Sequence, residues 1–456
     1  MFLIPGVGAL FIFMYLRPHE VFELLRPVSL AWIIGVVALG FVLDVRVGFS
    51  RLRGSPLLSL LLSLFVLCLI TIGIKAPSRI SERLVQLVPA LLAYAFVSLG
   101  VQSLRAIGVT AGLLVTLTLI LAVVGIDQGA SAPACYLIGG LPDAPAVETF
   151  DGRPCTTTEQ CTEGGLPGRE YFCEKPGLFD THSIGKRVRF RGLLEDPNEL
   201  SWAIAMGVPL AFALFERRRS SLRLVALLAT VVLGSVCVVM TKSRSGALSL
   251  AAVLGAYFVR RFGWRLGALG AAAAALPILI LGGRSGEEAQ SSSEERLECW
   301  SEALSLWREN PLMGVGQGQF TEHHYLTAHN SFLLTLAELG PVGLLLWSSA
   351  MYFAFKIAIR IQIDFAGKPE AAPARSWAAA LTASMAGMLV SSFFLSIAYH
   401  TILWAFLGLV GALYAAARAH RPDWRLGFGW RDVVVVVGFD TMVVTGIAAY
   451  LRLKGV

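Results

Sequence analysis

Charge is scarce in this chain. Only 15% of residues are Asp, Glu, Lys or Arg, against 55% hydrophobic, whereas a soluble globular domain carries roughly 25% charged residues. That shortage excludes an ordinary water-soluble fold. No internal repeat is visible, although a transporter built from pseudo-symmetric halves would show one. No basic–aromatic recognition motif appears, so the formal charge of +7 does not signal nucleic acid. The first apolar run lacks a basic leading segment and a small-residue cleavage site, which reads as a retained helix. The candidate outer loops hold no DxD-like pair of carboxylates, and nothing visible calls for a divalent metal or another cofactor. Cysteine is sparse too. Cys68 and Cys237 lie in apolar runs and Cys299 in an amphipathic one. Cys135, Cys155, Cys161 and Cys173 share a single exposed loop without CxxC spacing. Two disulfides in an oxidising compartment therefore outrank zinc, and three pairings stay open.

Long apolar runs are what the chain has in quantity. About twelve occur, at 2–16, 28–43, 57–74, 84–100, 105–126, 199–216, 223–241, 246–259, 266–283, 331–355, 377–397 and 401–417, with a weaker one at 433–451. Their lengths suit a bilayer core. The expected fold is all-α: a polytopic membrane protein of about twelve transmembrane helices with two long outer loops. Basic residues in short loops set the orientation. Arg46, Arg51 and Arg53, then Arg217 to Arg223, Arg260 to Arg265, Lys356 to Arg375 and Arg418 to Arg431 mark the cytoplasmic side. These alternate correctly only if 127–198 and 284–330 are extracytoplasmic. The parts are then N-terminal helices to 126, a cysteine-containing loop at 127–198, central helices at 199–283, a catalytic loop at 284–330 and C-terminal helices at 331–456. One outer link, Lys75 to Arg83, carries three basic residues against that tendency.

Local motifs gather on the outer side. Residues 127–190 contain DGRPCTTTEQCTEGGLPGREYFCEKPG, which shows no strand or helix period and depends on crosslinks for order. They end in KRVRFRG, with Lys186, Arg187, Arg189 and Arg191. This is either a solvated surface strand or an electropositive approach to an anionic head group. Asp196-Pro197-Asn198 starts a helix, with Asp196 as N-cap and Asn198 a spare polar group. TKSRSG, Thr241 to Gly246, is a tight turn whose Arg244 can hold a phosphate through two parallel hydrogen bonds. Ser292 with Glu295 reads as a capping box opening an interfacial helix, with Leu297, Trp300, Leu304 and Trp307 on one stripe. Asn310-Pro311 ends that helix, and GVGQGQ (Gly314 to Gln319) cannot continue it. His329-Asn330 then stands at the lip of an apolar run. Glu338 within that run precedes a break at Gly340-Pro341 and could satisfy backbone freed there. His323, His324 and His400 are weaker candidates.

Arg244, Arg296 and His329 are expected to converge. Fixed guanidinium groups suit a pyrophosphate, and histidine titrates where a base for a hydroxyl is needed. In RGLLEDPNELSWAIAMGVPL, TKSRSGALSL and RLECWSEALSLWRENPLMGVGQGQF…AHNSFLLTLAELGPVG, the chain resembles the O-antigen ligase/polymerase family. These are multi-spanning glycosyltransferases that use polyprenyl-diphosphate-linked glycans, such as undecaprenyl diphosphate carriers, at the periplasmic face of the bacterial inner membrane. The resemblance implies that His329 is the catalytic base and that Arg244 and Arg296 bind diphosphate. Arg191, Asn198 and Asn330 are further substrate-binding candidates on their own positions at the outer face. The resemblance also implies metal-independent, inverting transfer for polysaccharide or lipopolysaccharide assembly, to lipid A core, a second glycan or a protein hydroxyl. The alternative is a membrane transporter of a small anion or solute, which would carry charges near the bilayer midplane.

Overall fold

In the computed structural model, residues 3–47, 54–138, 148–281 and 287–455 are described. Arg51 and Arg53 lie outside them. Over the described residues, each apolar run falls on a helix. The order is α1 (Leu3–Leu16), the single turn α2 (Pro18–Val21), α3 (Leu30–Arg46), α4 (Leu57–Lys75), α5 (Ile80–Gly100) and α6 (Leu104–Ala130). After a small strand-bearing region containing α7 (Thr158–Glu163) come α8 (Pro197–Arg217), α9 (Ser221–Met240), α10 (Arg244–Phe262), α11 (Trp264–Leu281) and α12 (Glu287–Glu309). The short α13 (Phe320–His323) leads to α14 (Ser331–Asp364), α15 (Ala372–Ser392), α16 (Thr401–His420) and α17 (Trp430–Lys454). Among the described residues, eight helices are long and apolar enough to cross a membrane.

The centre is α8 and α16, buried nearly all round, while α17 turns most of its surface outward. Lipid tails are as apolar as leucine, so close backbone approach must supply the packing. Small residues provide it. A Cβ on Gly408 would lie 2.8 Å from Tyr94 O, and one on Gly246 2.0 Å from Ser201 Oγ. Trp202, Trp347, Trp377 and Trp404 fill the remaining space, fully buried.

The bundle has two distinct ends. One gathers the short basic loops: Arg217 donates to Leu104 O at 3.2 Å, Arg261 pairs with Glu216 at 2.7 Å and Lys356 with Asp432 at 2.7 Å. The other gathers the long loops. Lys75 Nζ donates to Asn310 Oδ1 at 2.9 Å, and Arg79 pairs with Glu322 at 3.0 Å. The basic link that ran against the charge pattern is thus held by partners on the loop before α14.

Two expectations fail locally. The 127–190 region is not free of strands: β1 (Ala134–Ile138) pairs antiparallel with β2 (Thr149–Pro154) and β3 (Glu170–Glu174), in the order β2-β1-β3, and β4 (Pro176–Gly177) pairs with β5 (Thr181–His182). Strands this short carry too few residues to show a period. Disulfides Cys135–Cys161 and Cys155–Cys173 settle the pairing. Nor does Ser292 cap α12, which already runs from Glu287; the Ser–Glu pair is an interior step of a longer helix. Its stripe behaves as expected, with Leu304 buried and Leu297, Trp300 and Trp307 packed against the core.

Candidate functional site

Three pairs of sequence motifs interlock at the long-loop end. The first joins the start of α8 to the α9–α10 turn. Asp196 caps α8 by accepting from Asn198 N–H at 2.5 Å, and Pro197 occupies the first helical position. The Asn198 side chain ties that cap to the turn, because its Oδ1 accepts from Ser243 Oγ at 2.6 Å and from Arg187 Nη2 at 3.2 Å. Ser243 caps α10 in turn, accepting from Gly246 N–H at 3.0 Å. Arg244 follows as the first residue of α10 and is exposed. A cation there opposes the helix dipole, and the same helix end favours an anion.

The second pair is the glycine turn and the kink in α14. Gly340 has φ 71° and ψ −171°, and Pro341 has no N–H, so the helix ladder breaks there. The freed carbonyls are taken by the glycine turn: Val315 N–H donates to Ala337 O at 2.9 Å and Gly316 N–H to Glu338 O at 3.0 Å. Gly314, Gly316 and Gly318 all have positive φ, which lets the two backbones touch. The Glu338 side chain does not fill this gap, as the sequence suggested it could; its Oε1 accepts from Phe320 N–H at 3.3 Å.

The third pair holds His329. Asn330 caps α14, accepting from Phe332 and Leu333 N–H at 2.9 and 3.1 Å, and donates to Phe393 O at 3.2 Å. Ser331 Oγ donates to Leu395 O at 2.7 Å and accepts from Ile397 N–H at 2.9 Å. Thr327 Oγ1 donates to Ser396 Oγ at 2.7 Å. Between these fixed points His329 takes a left-handed backbone, φ 47°. A non-glycine residue persists there only when its surroundings over-determine it, and such strain concentrates at functional sites.

Phe394 of the 393–397 turn lies beneath Arg296, whose guanidinium is 5.8 Å from the ring centre. Arg296 thereby comes close to His329. Burial, and then the Arg296 charge, hold the His329 imidazole below its ordinary value, with Asp196 and Glu295 opposing. The ring is neutral at neutral pH and can accept a proton. Arg296, His329 and Asp196 form one electrostatic group, while Arg244 stands at the same end, beside the Asn198–Ser243 bond.

Arg191 sits apart from that group. In 187–191 Val188 and Phe190 are buried, so Arg187, Arg189 and Arg191 share the opposite side of an extended segment. Arg191 donates to Glu20 O at 3.4 Å and to Phe179 O; Arg189 contacts His182 and pairs with Glu195 at 3.5 Å. Asn330 is committed to capping and to Phe393. His400, a weaker candidate, caps α16: its Nδ1 accepts from Ile402 N–H at 3.2 Å, which leaves Nε2–H to donate to Leu193 O at 3.1 Å. Burial pushes it down to about 4. Sequence reasoning treated Asp196 as a cap alone and did not single out Arg83, Gln317 or Tyr399. The unexplained arginines of the 75–83 link were the signal for the first of these.

Residues 229–348 match the family described as O-Antigen ligase. No curated protein matches the chain. The matched segment contains the TKSRSG turn, Arg296, the glycine turn, His329 and the α14 kink, and so supplies at least one side of each pairing above. This chain is thus a multi-pass all-α membrane protein whose residues 229–348 are similar to the O-antigen ligase family.

Proposed function

We propose that the protein transfers a glycan from a polyprenyl diphosphate carrier to an acceptor hydroxyl, at the periplasmic face of the bacterial inner membrane and without a metal. His329 is the base. It removes the proton from the acceptor oxygen as that oxygen attacks the anomeric carbon, and the bond to the diphosphate breaks with inversion. The leaving diphosphate carries its charge away unprotonated, against Arg296 and Arg244, so no general acid is needed. Asn198 keeps the Arg244 turn in place through Ser243, and Arg191 extends the positive surface toward the head-group region. Asn330 serves by fixing the backbone that presents His329.

The observation that carries this reading is the half-buried imidazole held beside a guanidinium in a left-handed backbone. The disulfide pairs support the orientation, because they lie at the same end and form in an oxidising compartment. Transfer would be tested with full-length protein in lipid nanodiscs, following a lipid-linked glycan donor by gel. His329→Ala should lower the rate roughly 10²- to 10⁴-fold, the usual range for a positioned base, while the protein stays folded. Wild-type transfer rates in a folded His329→Ala protein would reject the assignment.

A further inference from the structure

Beside the His329 group lies a cavity of about 320 Å³. It is bounded by the start of α5, the glycine turn, α14 and the turn before α16, and Thr327 on its wall is two residues from His329. Its polar lining is built and only partly used. Gln317 is fully buried, and neither its Oε1 nor its Nε2 has a hydrogen-bond partner. Glu338, 2% exposed, and the Tyr399 hydroxyl face each other within hydrogen-bonding reach on the same wall, and Arg83 Nε has no partner. An unmet buried polar group costs free energy, so one surplus atom is tolerable and several around one space call for an occupant.

The chemistry of the lining selects that occupant. Glu199 and Glu338 put two carboxyl groups on the wall beside one guanidinium, Arg83, a lining without the several cations that hold a phosphate. Carboxyl, amide and phenol groups together accept and donate to neighbouring hydroxyls, while Phe320 and Leu334 offer apolar faces. Gly192 and Glu199 also line a second cavity of about 590 Å³ that contains Asp196 and Arg189, so the space opens toward the proposed chemistry. We infer that this cavity binds a neutral sugar ring of the glycan, with Gln317, Glu338 and Tyr399 as its specificity-determining contacts. The inference rests on the glycosyl-transfer reading and adds a subsite to it. Both the donor glycan and the acceptor can present such a ring.

The test uses Gln317→Leu, Tyr399→Phe and Glu338→Gln in the full-length protein in nanodiscs. The first removes unpartnered polar atoms with little change of shape, so it should leave the melting temperature unchanged or raised; the second removes only the hydroxyl that faces Glu338. The third keeps the acceptor for Phe320 N–H. Free oligosaccharide cleaved from the host's surface polysaccharide should bind wild type by saturation-transfer NMR, and the variants at least tenfold more weakly. A tenfold rise in KM for the acceptor alone identifies the ring as the acceptor's; a rise for the donor alone identifies it as the donor's. Unchanged binding and unchanged KM values would overturn the inference, as would destabilised variants that bind normally, since those atoms would then be satisfied by structural water. If His329→Ala retains transfer, the proposed reaction falls. The oligosaccharide binding of the three variants decides the subsite separately.

Discussion

Replacing Gly314 with alanine should damage the protein far more than its size suggests. A Cβ there would lie 2.3 Å from Ala337 O and 2.4 Å from Glu338 C. Both are backbone atoms that cannot rotate away, so the turn and α14 must separate. Gly314 also has φ 64°, and an L-residue in that region costs about 1–2 kcal/mol. Separation stretches the bonds from Val315 and Gly316 to the carbonyls freed by the Pro341 kink, each contributing about 1 kcal/mol. The sum is roughly 3–4 kcal/mol. The loss falls between Arg296 and His329, because the turn connects the helix bearing one to the helix that follows the other. Thermal inactivation of purified protein, read by fluorescence-detected size exclusion, measures it. Gly438→Ala on α17 is the control: a Cβ there meets nothing within 4 Å, and stability should hold or rise. A Gly314→Ala protein that melts and turns over like wild type would show that the glycine turn and the kink do not depend on each other.

Other outcomes follow from the charges and crosslinks. Because His329 must be neutral to act, transfer falls as pH drops through its lowered value; Arg296→Gln removes one cause of that lowering. The acid limb of the pH–rate profile should therefore move to higher pH, and an unmoved limb would mean that another group titrates. His400 stays neutral in the fold down to about pH 4, whereas an unfolded imidazole protonates near pH 6.5. Its contribution to stability is complete above pH 6.5 and shrinks as pH falls toward 4, by about 3 kcal/mol. Melting temperatures across that interval check it, and the slope should flatten in His400→Asn. Opening Cys135–Cys161 by substitution to serine should loosen the strand-bearing region by about 3 kcal/mol. Limited proteolysis should then cut between 131 and 196, while membrane insertion is unaffected.

What the chain determined by itself is local. Apolar length fixed the helices, because a bilayer leaves backbone groups no other partner. Proline and glycine marked the breaks after Glu309 and at Gly340, and Asp196-Pro197 declared its own cap, since each acts through its immediate neighbours. The residue types at 244, 296 and 329 pointed to one chemistry before any of them had a position. Tertiary structure decided what depends on distant segments. Only the packed chain pairs the glycine turn with the kink in α14, sews 327–331 to 393–397, and selects one disulfide pairing among three. Short strands in the cysteine region carried too little pattern to be seen. The polar cavity was invisible for a related reason: Arg83, Gln317, Glu338 and Tyr399 come from four separate segments. An unmet hydrogen bond is a property of where side chains end up, and no spacing along the chain encodes it.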